Sequence, residues 1–153
     1  MKFIASLFLV AQLVQGLSSE SKGFGAAAVR FFPVEVWGDS GGYPLAAFQL
    51  VLTTQSEDVV TTGIEGGSHP AFVEPPTYDP RAMQGNRLIV AQYSLESADR
   101  LPTGETRLFT VHVQAPRGSE PVFDLKVIAA GNPDGVRIPL RCKLVQPSVV
   151  ESL

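Results

Sequence analysis

Cysteine is nearly missing from this sequence: Cys142 is the one thiol in 153 residues. No internal disulfide can form from it, so the fold must be held by an apolar core, which a chain of this length can supply. Histidine is almost as scarce. His69 and His112, with Cys142, are the only imidazole and thiol donors, too few and too scattered for zinc, which needs three or four clustered ligands. There is no excess of positive charge, with 12 basic side chains against 15 acidic ones. That balance gives no reason to expect nucleic acid or an anionic membrane as partner. The sequence has no G-x-S-x-G elbow, no phosphate-cradling glycine loop and no stretch of helical period. It holds one long apolar run, residues 3–14, broken by Ser6 and Gln12. Lys2 ahead of that run, and Val14, Gln15 and Gly16 after it, give the charged start, short apolar centre and small-residue exit of a secretory signal peptide. The run is too short to span a bilayer comfortably, and no cysteine follows it to carry a lipid. The expectation is cleavage near Gly16 and a secreted chain, extracellular or periplasmic. Removal of residues 1–16 takes only Lys2 among the charged groups, leaving eleven basic against fifteen acidic side chains, a net charge of −4. The Ser- and Gly-rich residues 17–26 then form a disordered leader, residues 27–145 one folded domain and residues 146–153 a short tail. No second apolar run follows, so the mature chain is expected to be soluble, without a membrane span.

What the chain does contain is alternation. In residues 44–54, Ala46, Phe48, Leu50 and Leu52 recur at a spacing of two and leave one face of a strand. Ala47, Gln49, Val51 and Thr53 leave the other. One strongly apolar face and one mixed face suit the middle of a sheet packed on a second sheet. Further strands are expected at 27–37, 59–65, 86–94, 106–115, 122–130 and 136–145. Pro33 and Pro139 lack a donor and mark edges or bulges. Phe109, Val111 and Val113 are read as inward, as are Phe123, Leu125, Val127 and Ala129. Four prolines in residues 68–81 exclude a helix there and predict an extended surface excursion, with one short strand at 71–73. Asn132, Pro133, Asp134 and Gly135 spell a turn. Seven or eight short strands separated by turns predict an all-β, antiparallel, two-sheet β-sandwich.

The polar residues do not converge on catalysis. His69 precedes a proline and His112 is expected outward on a strand; neither has a partner at a fixed spacing. Gly38 to Gly42 includes a serine, but nucleophilic catalysis needs a positioned histidine and acid. Glu57 with Asp58, and Glu74 with Asp79, read as solvated turns rather than a glycosidase pair. Cys142 lies in an apolar-flanked strand and reads as a small buried hydrophobe. The chain is therefore read as not an enzyme, with no cofactor. Calcium, on loop carboxylates such as Asp39, Asp58 or Asp79, has only weak support. Binding needs only a surface. Trp37, Tyr43 and Tyr78 fall in or beside loops, where exposed rings can stack on sugars or plug the ends of the core.

Several stretches taken together resemble a family. They are P-L-A-A-F-Q-L-V-L (44–52), V-V-T-T-G-I-E-G-G (59–67), E-P-P-T-Y-D-P (74–80), N-R-L-I-V-A-Q-Y-S (86–94) and L-P-T-G-E-T-R-L-F-T-V-H-V (101–113). Their order is similar to the cohesin domain, in the fold shared with β-sandwich carbohydrate-binding modules. The resemblance implies a nine-stranded jelly roll and a non-catalytic module that docks a protein partner, such as the calcium-binding dockerin, through one sheet face. Carried onto this chain, that face includes Gln49 with Ala47, and Gln92, Asp124 and Lys126. The chain departs from dockerin-binding members in having Ala47 and Val51 where they carry polar side chains. Polysaccharide binding through Trp37, Tyr43 and Tyr78 is the alternative.

Overall fold

Residues 28–146 are described by a computed structural model; the expected signal peptide, the whole of the expected leader and the tail from residue 147 lie outside them. Eight strands run β1 (Val29–Asp39), β2 (Ala47–Thr54), β3 (Val60–Gly66), β4 (Thr77–Tyr78), β5 (Arg87–Tyr93), β6 (Glu105–Pro116), β7 (Phe123–Gly131) and β8 (Arg141–Val145). They form two four-stranded antiparallel sheets, ordered β3-β6-β1-β8 and β4-β5-β2-β7. Except between β4 and β5, each successive strand crosses to the other sheet, the path of a jelly roll. Among the described residues no helix is long and apolar enough to cross a membrane.

The alternation in residues 46–52 does what it predicts. Ala46, Phe48, Leu50 and Leu52 are buried, and β2 lies between β5 and β7. Phe48 packs edge-on to Phe72 at 5.2 Å and stacks on Phe109 at 6.2 Å. Both geometries favour aromatic contact beyond the area buried.

Three expectations are corrected. The short strand expected at 71–73 is a 3-10 turn, Pro70–Phe72, and the short strand is instead β4. His69 caps that turn, its Nδ1 accepting from the Ala71 N–H at 3.1 Å, with Pro70 in the first turn where a missing donor costs nothing. The excursion is also not wholly on the surface, because Phe72 is fully buried. Finally, three bulges shift the alternation, one of them at Thr61/Gly63 in the β3–β6 pairing and two in strands at the centre of the core. Of these two, one lies between Gln49 and Leu50 in the β2–β7 pairing, where Leu50 faces Val127 and Gln49 faces Ala129. The extra residue, Ile128, turns Ala129 outward, against the expectation, and brings Ala130 into the core. The other, at Val36/Trp37 opposite β6, leaves both Leu108 and Phe109 buried.

Pro33 is accommodated without a bulge. Among the described residues β8 pairs with β1 only over Glu35–Asp39, so there residues 29–34 are paired on one side. The Ala28 carbonyl accepts from the Arg117 N–H just past β6. Alternation then turns the Pro33 nitrogen away from β6, to the open side, where no donor is needed.

Candidate functional site

The register fixes what stands on the outer face of the β4-β5-β2-β7 sheet. One rung holds Thr77, Ala91, Gln49 and Ala129; the rung beside it holds Tyr93, Ala47 and Gly131. On the other side stand Ile89, Val51 and Lys126, and then Arg87, Thr53 and Asp124. Small side chains on neighbouring strands lower the surface locally. The result is an open, mainly apolar depression of about 660 Å³, floored by Ala47, Ala91 and Ala129, with Arg137 as its one charged lining residue. A second hollow of about 430 Å³ shares Thr77 and Ala91 with it and extends to Ile89 and Arg87. Tyr93, 72% exposed, stands at the rim, followed by Leu95 at 92%. An exposed ring beside an apolar depression is the kind of surface that marks an interaction site.

Arg137 reaches this face from the hairpin after β7. Asn132 shapes that turn, its Oδ1 accepting from the N–H groups of Asp134 and Val136, and Gly135 supplies the left-handed φ of 77°. Arg137 Nη2 donates to the Ile128 carbonyl at 2.8 Å, on the β7 bulge, which holds the guanidinium at the end of the depression. Among the described residues Arg87, Lys126 and Arg137 are in no ion pair.

The opposite outer face, on β3-β6-β1-β8, is different. Arg107 pairs with Glu35 at 3.1 Å, Arg141 with Asp39 at 2.6 Å and Lys143 with Glu105 at 2.7 Å. Trp37 lies among them, half-buried, its indole N–H donating to Glu35 Oε2 at 2.8 Å and Lys143 Nζ 5.9 Å from its ring. The Trp37 indole, and after it the Arg107 guanidinium, hold the Glu35 carboxyl below the usual carboxylate range against the opposing effect of burial. The Gly41 N–H, then Arg141, do the same for Asp39.

Of the residues expected on the docking face, Gln49, Asp124 and Lys126 stand on it together with Ala47. Gln92 does not. It pairs with Phe48, on the inward parity, and its Nε2 donates to the Glu74 carbonyl at 2.7 Å while Oε1 is buried without a partner. A polar residue at the end of the apolar run Leu88 to Ala91 reads as outward, but the chain turns it in to tie down the proline-rich excursion. The sequence reading also missed Ala91, Ala129 and Arg137, whose alignment only the register shows.

Trp37, Tyr43 and Tyr78 are not brought together. Trp37 is on the outer face of one sheet, Tyr78 packs against the core from the other, and Tyr43 is exposed in the loop after β1. Trp37 and Tyr43 border two hollows that share Asp39 and Arg141, and Tyr78 alone of the three packs against the core. Among the described residues no group of three or more His, Cys, Asp and Glu is placed to hold a metal ion. Asp39 is engaged by Gly41 and Arg141, and Asp79 caps the 3-10 turn Pro80–Gln84. His112 Nε2 lies 3.0 Å from Glu65 Oε1 but completes no hydrogen bond.

No protein-family model and no curated protein sequence matches the chain. Among solved structures, it is similar to a chain in the crystal structure of a type I cohesin–dockerin complex from Clostridium thermocellum. The TM-score is 0.51 at 12% identity, covering 74% of this chain and 82% of that one. The fold is therefore cohesin-like.

Proposed function

We propose that this cohesin-like sandwich is a secreted, non-catalytic module that docks a protein partner on the outer face of the β4-β5-β2-β7 sheet. The observation that carries the reading is the open apolar depression over Ala47, Ala91 and Ala129, rimmed by exposed Tyr93. Burial of such a surface is the main favourable term in association. Gln49, Asp124 and Lys126 supply polar positions on the same face. The similar solved structure is of a cohesin–dockerin complex, which supports a protein, dockerin-like or otherwise, as the ligand. Secretion rests on the apolar run and small-residue exit of residues 1–16.

The test is capture of partners from the secreted proteome with the purified protein, beside two variants. Ala129→Arg fills the depression with a charged side chain and is expected to abolish capture. Trp37→Ala, on the opposite face, is expected to leave it intact. Capture that ignores Ala129→Arg, or no capture at micromolar concentration, refutes the reading. Polysaccharide binding through Trp37, Tyr43 and Tyr78 is the alternative. Unchanged migration in glycan affinity gels removes it.

A further inference from the structure

If the β4-β5-β2-β7 face is where a protein docks, its relief and charge also select the kind of protein. Resting on that docking reading, we infer that the partner is an acidic amphipathic helix, with one large apolar side chain seated over Ala129 and a carboxylate on Arg137.

The helix follows from the site being a sheet face and not a sheet edge. A strand laid across a face finds no backbone groups to pair with, and covering its N–H and C=O groups there would leave them unmatched and dry. A helix satisfies its own backbone and brings only side chains to the contact. The large apolar side chain follows from the floor. Ala47, Ala91 and Ala129 stand on three adjacent strands and leave a depression of about 660 Å³, room that a bulky anchor fills and excludes from water.

The acidic character follows from charge. The whole chain is net negative, at −3, yet among the described residues this face presents Arg87, Lys126 and Arg137 without ion pairs, against Asp124 on its outward rungs and Asp79 at the second hollow. On the opposite face three basic residues are matched to three acids, and little charge is left for a ligand. Arg137 is the best placed of the free cations. Its tie to the Ile128 carbonyl fixes the guanidinium beside the depression, and the remaining N–H groups of a held guanidinium match a carboxylate.

The experiment uses a display library built on a small helical scaffold, randomised along one helix face and selected against the full chain. Enrichment of one large apolar residue together with Asp or Glu is expected. The enriched binders should lose about tenfold or more in affinity toward Arg137→Glu and toward Ala129→Arg, the scale of removing a central contact. Selection repeated on Arg137→Glu should enrich Lys or Arg instead. Enrichment without acids, the same charge preference on both baits, binders indifferent to Ala129→Arg, or no enrichment overturns the inference. The two readings fail separately. Secretome capture that is lost in Ala129→Arg but unchanged in Arg137→Glu keeps the docking face and discards the acidic helix. No capture at all discards the docking face.

Discussion

Phe72 follows His69 and Pro70 in a segment with four prolines, yet its ring is fully buried against Phe48. Truncating a buried phenylalanine removes its transfer energy and leaves a cavity, so Phe72→Ala is expected to cost about 3–5 kcal/mol in urea unfolding; a loss under about 1 kcal/mol would mean that the excursion is not part of the core. Glu35 gives a prediction with a sign. Its carboxyl is held below the usual range by Trp37 first and Arg107 after it. A depressed carboxylate contributes stability above its unfolded pKa, and that contribution is lost as pH falls through the lower folded value. Glu35→Gln should therefore flatten part of the fall in melting temperature between neutral pH and the acid range, by a few degrees at most because partly exposed pairs are weak. An unchanged pH profile would show the pair contributes nothing. Cys142 moves the other way: burial pushes its thiol up to about 11. Alkylation at neutral pH should be at least about tenfold slower in the folded protein than in urea, and the thiol's small stabilising contribution should fade only as pH rises from 9 toward 11. Equal rates in the two states would refute the burial.

At the scale of the strand, alternation was legible where one face was apolar and the other was not, as in β2. It failed where both faces were apolar, as at Leu88 to Ala91, because such a run has no phase and the polarity of Gln92 was the only cue. It failed again at β7, where one extra residue at Ile128 reversed the parity of Ala129; a bulge depends on the partner strand and leaves little mark in its own sequence. The depression was hidden for the same reason, since its floor comes from residues far apart in sequence that only strand pairing aligns. Pro33 reads as an edge or a bulge, whereas β1 lies between β6 and β8, with β8 paired to its second half among the described residues. The open half of β1 carries exposed Phe31 and Val29 and would template pairing with another chain if all its donors were present. Pro33→Val restores a donor on that open side. The variant is expected to self-associate in sedimentation velocity runs at concentrations where the parent stays monodisperse. Identical sedimentation would show that Pro33 does not protect the edge.

The whole molecule is one cooperative unit because its strands cross between sheets at nearly every step. Residues from every strand enter one cluster: Val34 of β1, Leu50 of β2, Ile64 of β3, Tyr78 of β4, Val90 of β5, Val111 of β6, Ala130 of β7 and Leu144 of β8. Peeling off either sheet would expose the inner face of the other, so neither has a core of its own. With no disulfide to hold a partly opened state, loss of any strand is expected to propagate to the rest. Trp37 reports on the outer face of one sheet, while far-UV circular dichroism reports on both. In urea the two signals are expected to give superimposable transitions with one midpoint. An earlier Trp37 transition would mean that the β3-β6-β1-β8 sheet loosens by itself. The docking face would then sit on the more stable half of the sandwich, and Phe72→Ala, whose ring bridges Phe48 to the excursion, would shift the second transition and leave the first in place.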